Sequence, residues 1–143
     1  MKKYAGIIVR HENKVLLCKR NNEGTLPGFW SCPGGKMEEG ETPREAAVRE
    51  FIEETDLPIY GNVEFIGAIK RYTRDGQSLK GLMYCHLLDT EETVYPDLDN
   101  AIDGDEHSEC GYFGKDELPQ PMTKQLNKLL DIILKWKTIF TKH

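Results

Sequence analysis

Short runs of apolar residues recur along the first part of the chain and predict β-strands. The runs "YAGIIV" and "KVLLCK" are separated by the polar "RHEN", which predicts an antiparallel pair of strands. Two longer runs are joined by "RDGQS", in which Asp75-Gly76 is typical of a hairpin turn. The predicted strands span residues 4–9, 14–19, 29–31, 62–73, 79–89 and 110–114.

A strong helix signal lies between these two groups of strands. Thr42 offers an N-cap hydroxyl, Pro43 suits the first helical position, and Glu45 stands three residues after the cap. This capping box predicts a helix that begins at Pro43 and ends near Glu54 or Thr55, ahead of the next proline.

The end of the chain predicts a second, amphipathic helix whose apolar side, Trp136 included, belongs to the core, with a dimer interface as the alternative. Its apolar residues at helical spacing are Met122, Leu126, Leu129, Leu130, Ile133 and Trp136. Residues 90–107 show neither helical nor strand periodicity and predict a long surface loop. The order of strands, helix, strands and helix favours the α+β class or an α/β/α sandwich with a mixed sheet, in a single domain spanning residues 1–143.

Composition and charge narrow the choice of partners. The chain has 143 residues, 38% of them hydrophobic and 30% charged, with a net charge of -5. A soluble protein of this charge repels polyanions, so we expect no nucleic-acid partner, and no apolar run has membrane length. The four cysteines have no C-x-x-C spacing, which predicts reduced thiols in a cytoplasmic protein, without disulfides or zinc. They are Cys18, Cys32, Cys85 and Cys110.

The predicted first helix carries an unusual concentration of carboxylates. Glu50, Glu53 and Glu54 fall on one face, opposite an apolar face. Like charges at this spacing destabilise a helix by about 0.2–0.5 kcal/mol per pair, and a divalent cation would reverse the effect. Oxygen ligands of this kind suit Mg²⁺, with Mn²⁺ as the alternative ion. A solvated acidic face is the competing interpretation of these residues taken alone.

The residues around these carboxylates follow a wider pattern. Gly35, five residues, Glu41, seven residues, the run "REFIEE" from Arg49 to Glu54, and then Leu57 resemble the Nudix box. Asp56 stands where that box has its second glycine, and we expect it to end the helix in the left-handed conformation. The segments "FWSCPGGK" and "DEHSECGYFGKDELP" also resemble those that flank the box, so the chain is identified as a member of the Nudix hydrolase family.

The resemblance implies a Nudix-type α/β/α sandwich that hydrolyses a nucleoside diphosphate linked to another moiety, with Mg²⁺ as cofactor. The MutT-like branch is most similar, which favours cleavage of a nucleoside or deoxynucleoside triphosphate to the monophosphate and pyrophosphate. ADP-ribose, nucleotide sugars and dinucleoside polyphosphates are the alternative substrates. An alternative of another class is a non-catalytic module that senses a nucleotide.

The resemblance also assigns roles to individual residues. Either Glu53 or Glu50 is the catalytic base, and Arg49 and Glu41 form a pair that props the preceding loop against the helix. The implied metal ligands are Glu50, Glu53, Glu54, the backbone of Gly34 and Glu106, with Glu109 as the alternative to the last.

Three further residues are candidates for substrate binding. Arg20 and Lys36 flank the presumed site and suit phosphate oxygens, although surface cations are common. Tyr112 occupies a place where relatives carry an aromatic residue near the base, and packing is the alternative role. The expected partner is a small nucleotide, bound by a monomer or a homodimer.

Overall fold

A mixed seven-stranded sheet forms the centre of the computed structural model, which describes residues 1–21 and 26–136. The strands are β1 (Lys2–His11), β2 (Lys14–Arg20), β3 (Trp30–Ser31), β4 (Gly34–Lys36), β5 (Glu64–Tyr72), β6 (Leu79–Asp89) and β7 (His107–Gly114). The helices are α1 (Pro43–Thr55) and α2 (Lys124–Ile133), with 3₁₀ turns at Gly104–Glu106 and Lys115–Glu117.

The sheet is built around one parallel pair. The strands run in the order β3, β2, β1, β6, β5, while β4 pairs with β1 and β7 pairs with β2. β1 and β6 are parallel, and the other pairs are antiparallel. A parallel pair needs a crossover, and the chain between β1 and β6 includes α1.

Each face of the sheet buries its own apolar cluster. Alternate residues of β1 point to opposite faces, so Ile7 packs with Phe51 of α1, and Ile8 packs with Leu130 of α2. Each helix covers one face, which confirms the predicted α/β/α sandwich of the α+β class.

The ends of α1 follow its local sequence. The Thr42 hydroxyl accepts a hydrogen bond from the Glu45 amide, and the Glu45 carboxylate accepts one from the Thr42 amide. Asp56 ends the helix at φ 57° and ψ 25°, in the left-handed conformation expected for it. The predicted bounds of this helix are confirmed.

The remaining elements depart from prediction in three places. β4 was not predicted, because its residues are mainly glycine and carry no apolar pattern. The long surface loop ends in the 3₁₀ turn at Gly104–Glu106, and β7 begins three residues earlier than expected. Trp136 is 44% exposed beyond the end of α2, so its predicted place in the core is wrong.

The prediction of four reduced cysteines is also wrong. Cys18 of β2 and Cys110 of β7 stand directly opposite each other and form a disulfide. They are 92 residues apart in the sequence, and only the pairing of these strands brings their Cα atoms to 4.0 Å. Cys32 and Cys85 are free and buried. Disulfides persist in oxidising compartments, so the cysteines no longer support the expected cytoplasmic location.

Across residues 1–21 and 26–136, neither helix has the length and hydrophobicity that a membrane crossing requires.

Candidate active site

Arg49 donates hydrogen bonds to several groups on the exposed side of α1 and in the loop before it. Its guanidinium group donates two hydrogen bonds to the Glu41 carboxylate, at 2.7 and 2.9 Å, in a bidentate pair. It also donates to Glu50 at 3.0 Å, to Glu53 at 3.2 Å and to the backbone oxygen of Lys36 at 3.1 Å. The Arg49 hydrogen bond lowers the pKa of Glu41 to about 2. One cation therefore fixes the loop before α1 and orients two of its carboxylates.

Three carboxylates converge beside this pair. Glu50 and Glu54 of α1 and Glu106 of the 3₁₀ turn each place an oxygen within 4.8 Å of the others. We call these three side chains the carboxylate trio. A Cβ atom on Gly35 would lie 2.5 Å from the Glu50 carboxyl carbon, so only glycine lets β4 pass this close to the trio.

Glu54 is the most buried member of the trio. Its Oε1 atom lies 2.6 Å from Nε2 of His107 and 3.4 Å from the amide of Gly34. Its Oε2 atom has no hydrogen-bond partner among the residues that the structure describes. Burial, contact with Glu50 and the charge of Glu106 together raise the pKa of Glu54 well above its ordinary range. Burial also lowers the pKa of His107 to about 4.

The trio fits a divalent cation. A buried, unpartnered carboxylate oxygen beside two further carboxylates is costly as it stands, and a hard cation removes both the repulsion and the missing contact. Burial raises the pKa of Glu106 as well, with Asp103 as the next cause. Carboxylate oxygens are the ligands that Mg²⁺ and Mn²⁺ accept.

Glu53 lies outside the trio. Its carboxylate accepts the hydrogen bond from Arg49, and its backbone oxygen accepts one from the amide of Asp103 at 2.7 Å. Burial raises the pKa of Glu53 above its ordinary value, against the lowering effect of Arg49. The structure therefore brings together four of the five residues predicted to bind metal: the trio and Gly34.

A cavity of about 770 Å³ opens next to the trio on the side of the sheet covered by α2. Its wall includes Glu106 and Gly34, and also Arg20 and Lys36, the two cations predicted to bind phosphate. Aromatic side chains line it as well, and Trp30 packs edge-on against Phe113. The aromatic members of the wall are Tyr4, Phe29, Trp30 and Tyr72.

Tyr112 is not part of this wall, and its role in binding substrate stays a prediction. It pairs with Leu16 of β2, whose side chain faces α1, whereas the cavity lies on the other face. The Tyr112 hydroxyl donates to the Val94 oxygen at 2.7 Å and accepts from the Val94 amide at 2.9 Å. Tyr112 therefore holds the loop between β6 and the 3₁₀ turn.

Two residues of the site were missed by sequence reasoning. His107 follows Glu106 directly and was given no role, because no spacing in the sequence links it to Glu54. Arg71 lines the cavity from β5, where it looks like one more polar residue of an alternating strand. Its place on the first strand after the box helix was the available signal for Arg71.

The chain is similar to known proteins along most of its length. A family model described as the NUDIX domain matches residues 2–133. A protein of Proteus vulgaris named 8-oxo-dGTP diphosphatase is 40% identical over 55 residues, which are 38% of this chain and 49% of that protein. An ADP-ribose pyrophosphatase of Methanocaldococcus jannaschii is 30% identical over 132 residues, which are 91% of this chain and 71% of that protein.

A solved structure adds a comparison of the fold. The MutT NUDIX hydrolase from Burkholderia pseudomallei has a TM-score of 0.74 at 22% identity, with 92% of this chain and 95% of that chain covered. That likeness shows the fold alone. The chain matches only about half the length of the Proteus relative. Because the family model spans most of its residues, the chain belongs to the NUDIX domain family.

Proposed function

We propose that this protein hydrolyses a nucleoside diphosphate linked to another moiety, and that the substrate is a nucleoside or deoxynucleoside triphosphate, cleaved to the monophosphate and pyrophosphate. The observation that carries the proposal is the carboxylate trio at the edge of a cavity with basic and aromatic walls. The similarity to the Proteus 8-oxo-dGTP diphosphatase supports a triphosphate substrate.

The trio would hold Mg²⁺, or Mn²⁺ in its place. When bound, the ion supplies positive charge to the diphosphate oxygens and lowers the pKa of a coordinated water. Glu50, Glu54 and Glu106 provide the ligands, and Arg49 holds the Glu50 carboxylate in place. Arg20 and Lys36 bind phosphate oxygens from the cavity wall.

Glu53 is the general base in this proposal. Of the two candidates, it is the one whose carboxylate is not among the metal ligands, and burial raises its pKa towards the range useful for proton transfer. It accepts a proton from the attacking water, and pyrophosphate leaves from the α-phosphorus as the new oxygen bond forms. Glu53→Gln then lowers kcat by roughly 10²–10⁴-fold while Mg²⁺ binding persists. Glu50→Gln lowers kcat and also weakens Mg²⁺ binding.

ADP-ribose is the second candidate substrate. The relative from Methanocaldococcus jannaschii, named for that activity, matches 91% of this chain. A nucleotide-sensing module without catalysis is less favoured, because the chain retains every carboxylate of the box.

The test is a panel of nucleoside triphosphates, ADP-ribose, nucleotide sugars and dinucleoside polyphosphates, with Mg²⁺ and with chelator. We expect chelator-sensitive release of pyrophosphate and monophosphate from the triphosphates. Release of AMP and ribose phosphate from ADP-ribose alone would replace the favoured substrate by the second candidate. Nucleotide binding without any turnover would support the sensing module.

A further inference from the structure

Among the residues that the structure describes, Arg71 is a cation of the cavity wall with no ion-pair partner. Its guanidinium carbon lies 4.2 Å from the centroid of the Tyr4 ring, on which it stacks. Within residues 1–21 and 26–136, no carboxylate lies within ion-pair distance of it and no acceptor receives a hydrogen bond from it. Stacking on Tyr4 leaves the five N–H donors of this half-buried group without an acceptor among the described residues.

The wall around Arg71 is strongly basic, although the whole chain carries a net charge of -5. Two acidic side chains, Asp75 and Glu106, also line it. The basic members of the wall are Arg20, Lys36, Lys70, Arg71, Arg74 and Lys124. Positive charge is therefore concentrated in the wall of this cavity.

Arg20 connects Arg71 with the carboxylate trio. Arg20 pairs with His107, the residue after Glu106, and the amide of Asn21 donates to the backbone oxygen of Glu106 at 3.0 Å, so Arg20 lies beside the loop member of the trio. Arg71 and Arg20 line the same cavity, and burial lowers the pKa of Arg71, an effect to which the charge of Arg20 adds. Glu106, Arg20 and Arg71 therefore all belong to the lining of one cavity. A row of phosphates that begins at the trio would extend into the cavity that Arg20 and Arg71 line.

We propose that Arg71 is a specificity-determining residue that binds the phosphoryl group beyond the diphosphate held at the carboxylate trio. This inference rests on the proposed function and deepens it. A triphosphate or longer polyphosphate supplies an anionic oxygen for Arg71, whereas the sugar of ADP-ribose places neutral hydroxyls there. Arg71 therefore selects triphosphates over diphosphate-linked sugars.

The test compares two ligands that differ only in the third phosphoryl group. The dissociation constants of α,β-methylene-ATP and α,β-methylene-ADP, and of their guanosine counterparts, are measured by calorimetry with Mg²⁺. In the wild type we expect roughly 10–100-fold tighter binding of the triphosphate, the usual range for hydrogen bonds to a charged group. In Arg71→Gln this preference falls below about threefold, because the triphosphate loses its contact with Arg71 whereas the diphosphate loses none.

Two control variants separate charge from geometry. Lys80→Gln removes another cation near the Tyr4 ring, 5.9 Å from its centroid and outside the cavity wall, and should keep the full preference. Arg71→Lys keeps the charge but loses the planar guanidinium group, so it should keep part of the preference for the triphosphate. Unchanged circular dichroism and a similar Tm show that each variant is folded.

Three results would overturn the inference. A wild-type protein that binds both analogues equally would remove the third-phosphate subsite and leave the proposed hydrolysis standing. An Arg71→Gln variant that weakens both analogues by the same factor would place Arg71 at the nucleoside instead. If the wild type binds none of the four analogues, both the inference and the proposed function fail.

Discussion

Nε2 of His107 lies 2.6 Å from Oε1 of Glu54, and the two side chains are only 1% and 2% exposed. The contact joins the first residue of β7 to the last turn of α1, across 53 residues of sequence. Because Glu106 precedes His107, the same contact holds the loop member of the carboxylate trio beside the helix members. His107 is therefore a positioning residue for the trio.

Replacement of His107 should cost stability and metal affinity together. His107→Ala leaves a buried carboxyl group without its partner, which costs about 1–3 kcal/mol in the free energy of unfolding. We expect this loss in urea titrations with chelator, and a Mn²⁺ affinity lower by about 10–100-fold in calorimetry. His107→Gln offers an amide donor to Glu54 and should recover part of both. Equal Mn²⁺ affinity in His107→Ala and wild type would contradict the positioning role.

Because the carboxylates of the trio repel one another, Glu54→Gln should affect stability in opposite directions without and with metal. Glu54→Gln removes one of three crowded carboxylates, so in chelator this variant should be at least as stable as the wild type. Mg²⁺ at 100 times its Kd should stabilise the wild type by about 2.7 kcal/mol and the variant far less. Thermal unfolding with chelator and with Mg²⁺ measures both differences.

Glu39→Gln is the matched control, since it removes an exposed carboxylate from the loop before α1. It should respond to Mg²⁺ as the wild type does. An equal rise of Tm in Glu54→Gln would mean that the ion binds elsewhere.

Arg49 and Glu41 should behave as one unit. Arg49→Lys loses the bidentate geometry, and Glu41→Gln loses the charge, so each should lower kcat/KM for the substrate found in the panel by about 10–100-fold. The double variant should lose little more than either single one, because both changes break the same contact.

Arg44→Lys provides the control on the same helix, where the guanidinium group makes one long hydrogen bond of 3.4 Å to Val63. Its kcat/KM should stay near the wild-type value. Fully additive losses for Arg49→Lys and Glu41→Gln would show that the two residues act separately.

Local sequence signals predict much of this structure. The capping box at Thr42 and the left-handed position of Asp56 depend on a few neighbouring residues, so both could be predicted. The contact between Glu54 and His107 depends on how β7 pairs with β2, which no local pattern reports. The position of Tyr112 could not be predicted either, because its side chain lies on the α1 side of the sheet and only the register of β7 decides this. A shift of one residue along a strand moves every side chain to the other face.

The left-handed Asp56 gives a prediction about stability. An L-residue with φ 57° is strained, and glycine adopts this conformation without the steric cost. Asp56→Gly should raise the free energy of unfolding by about 0.5–1 kcal/mol, and Asp56→Ala should lower it. Urea titrations of the three proteins measure the order. A more stable Asp56→Ala would show that strain at this cap is not what limits α1.

The disulfide predicts how many thiols react when the protein is purified without reductant. Cys32 and Cys85 are 2% and 0% exposed, and burial raises the pKa of each thiol, that of Cys32 to about 12. Below these values the thiols stay protonated, so the folded protein should not react with Ellman's reagent near neutral pH. Unfolded without reductant, it should release two thiols per chain, and four after reduction. Cys110→Ser frees Cys18 and should raise the unreduced count to three, although it removes a cysteine. A count of four in the unreduced wild type would show that Cys18 and Cys110 are not bonded.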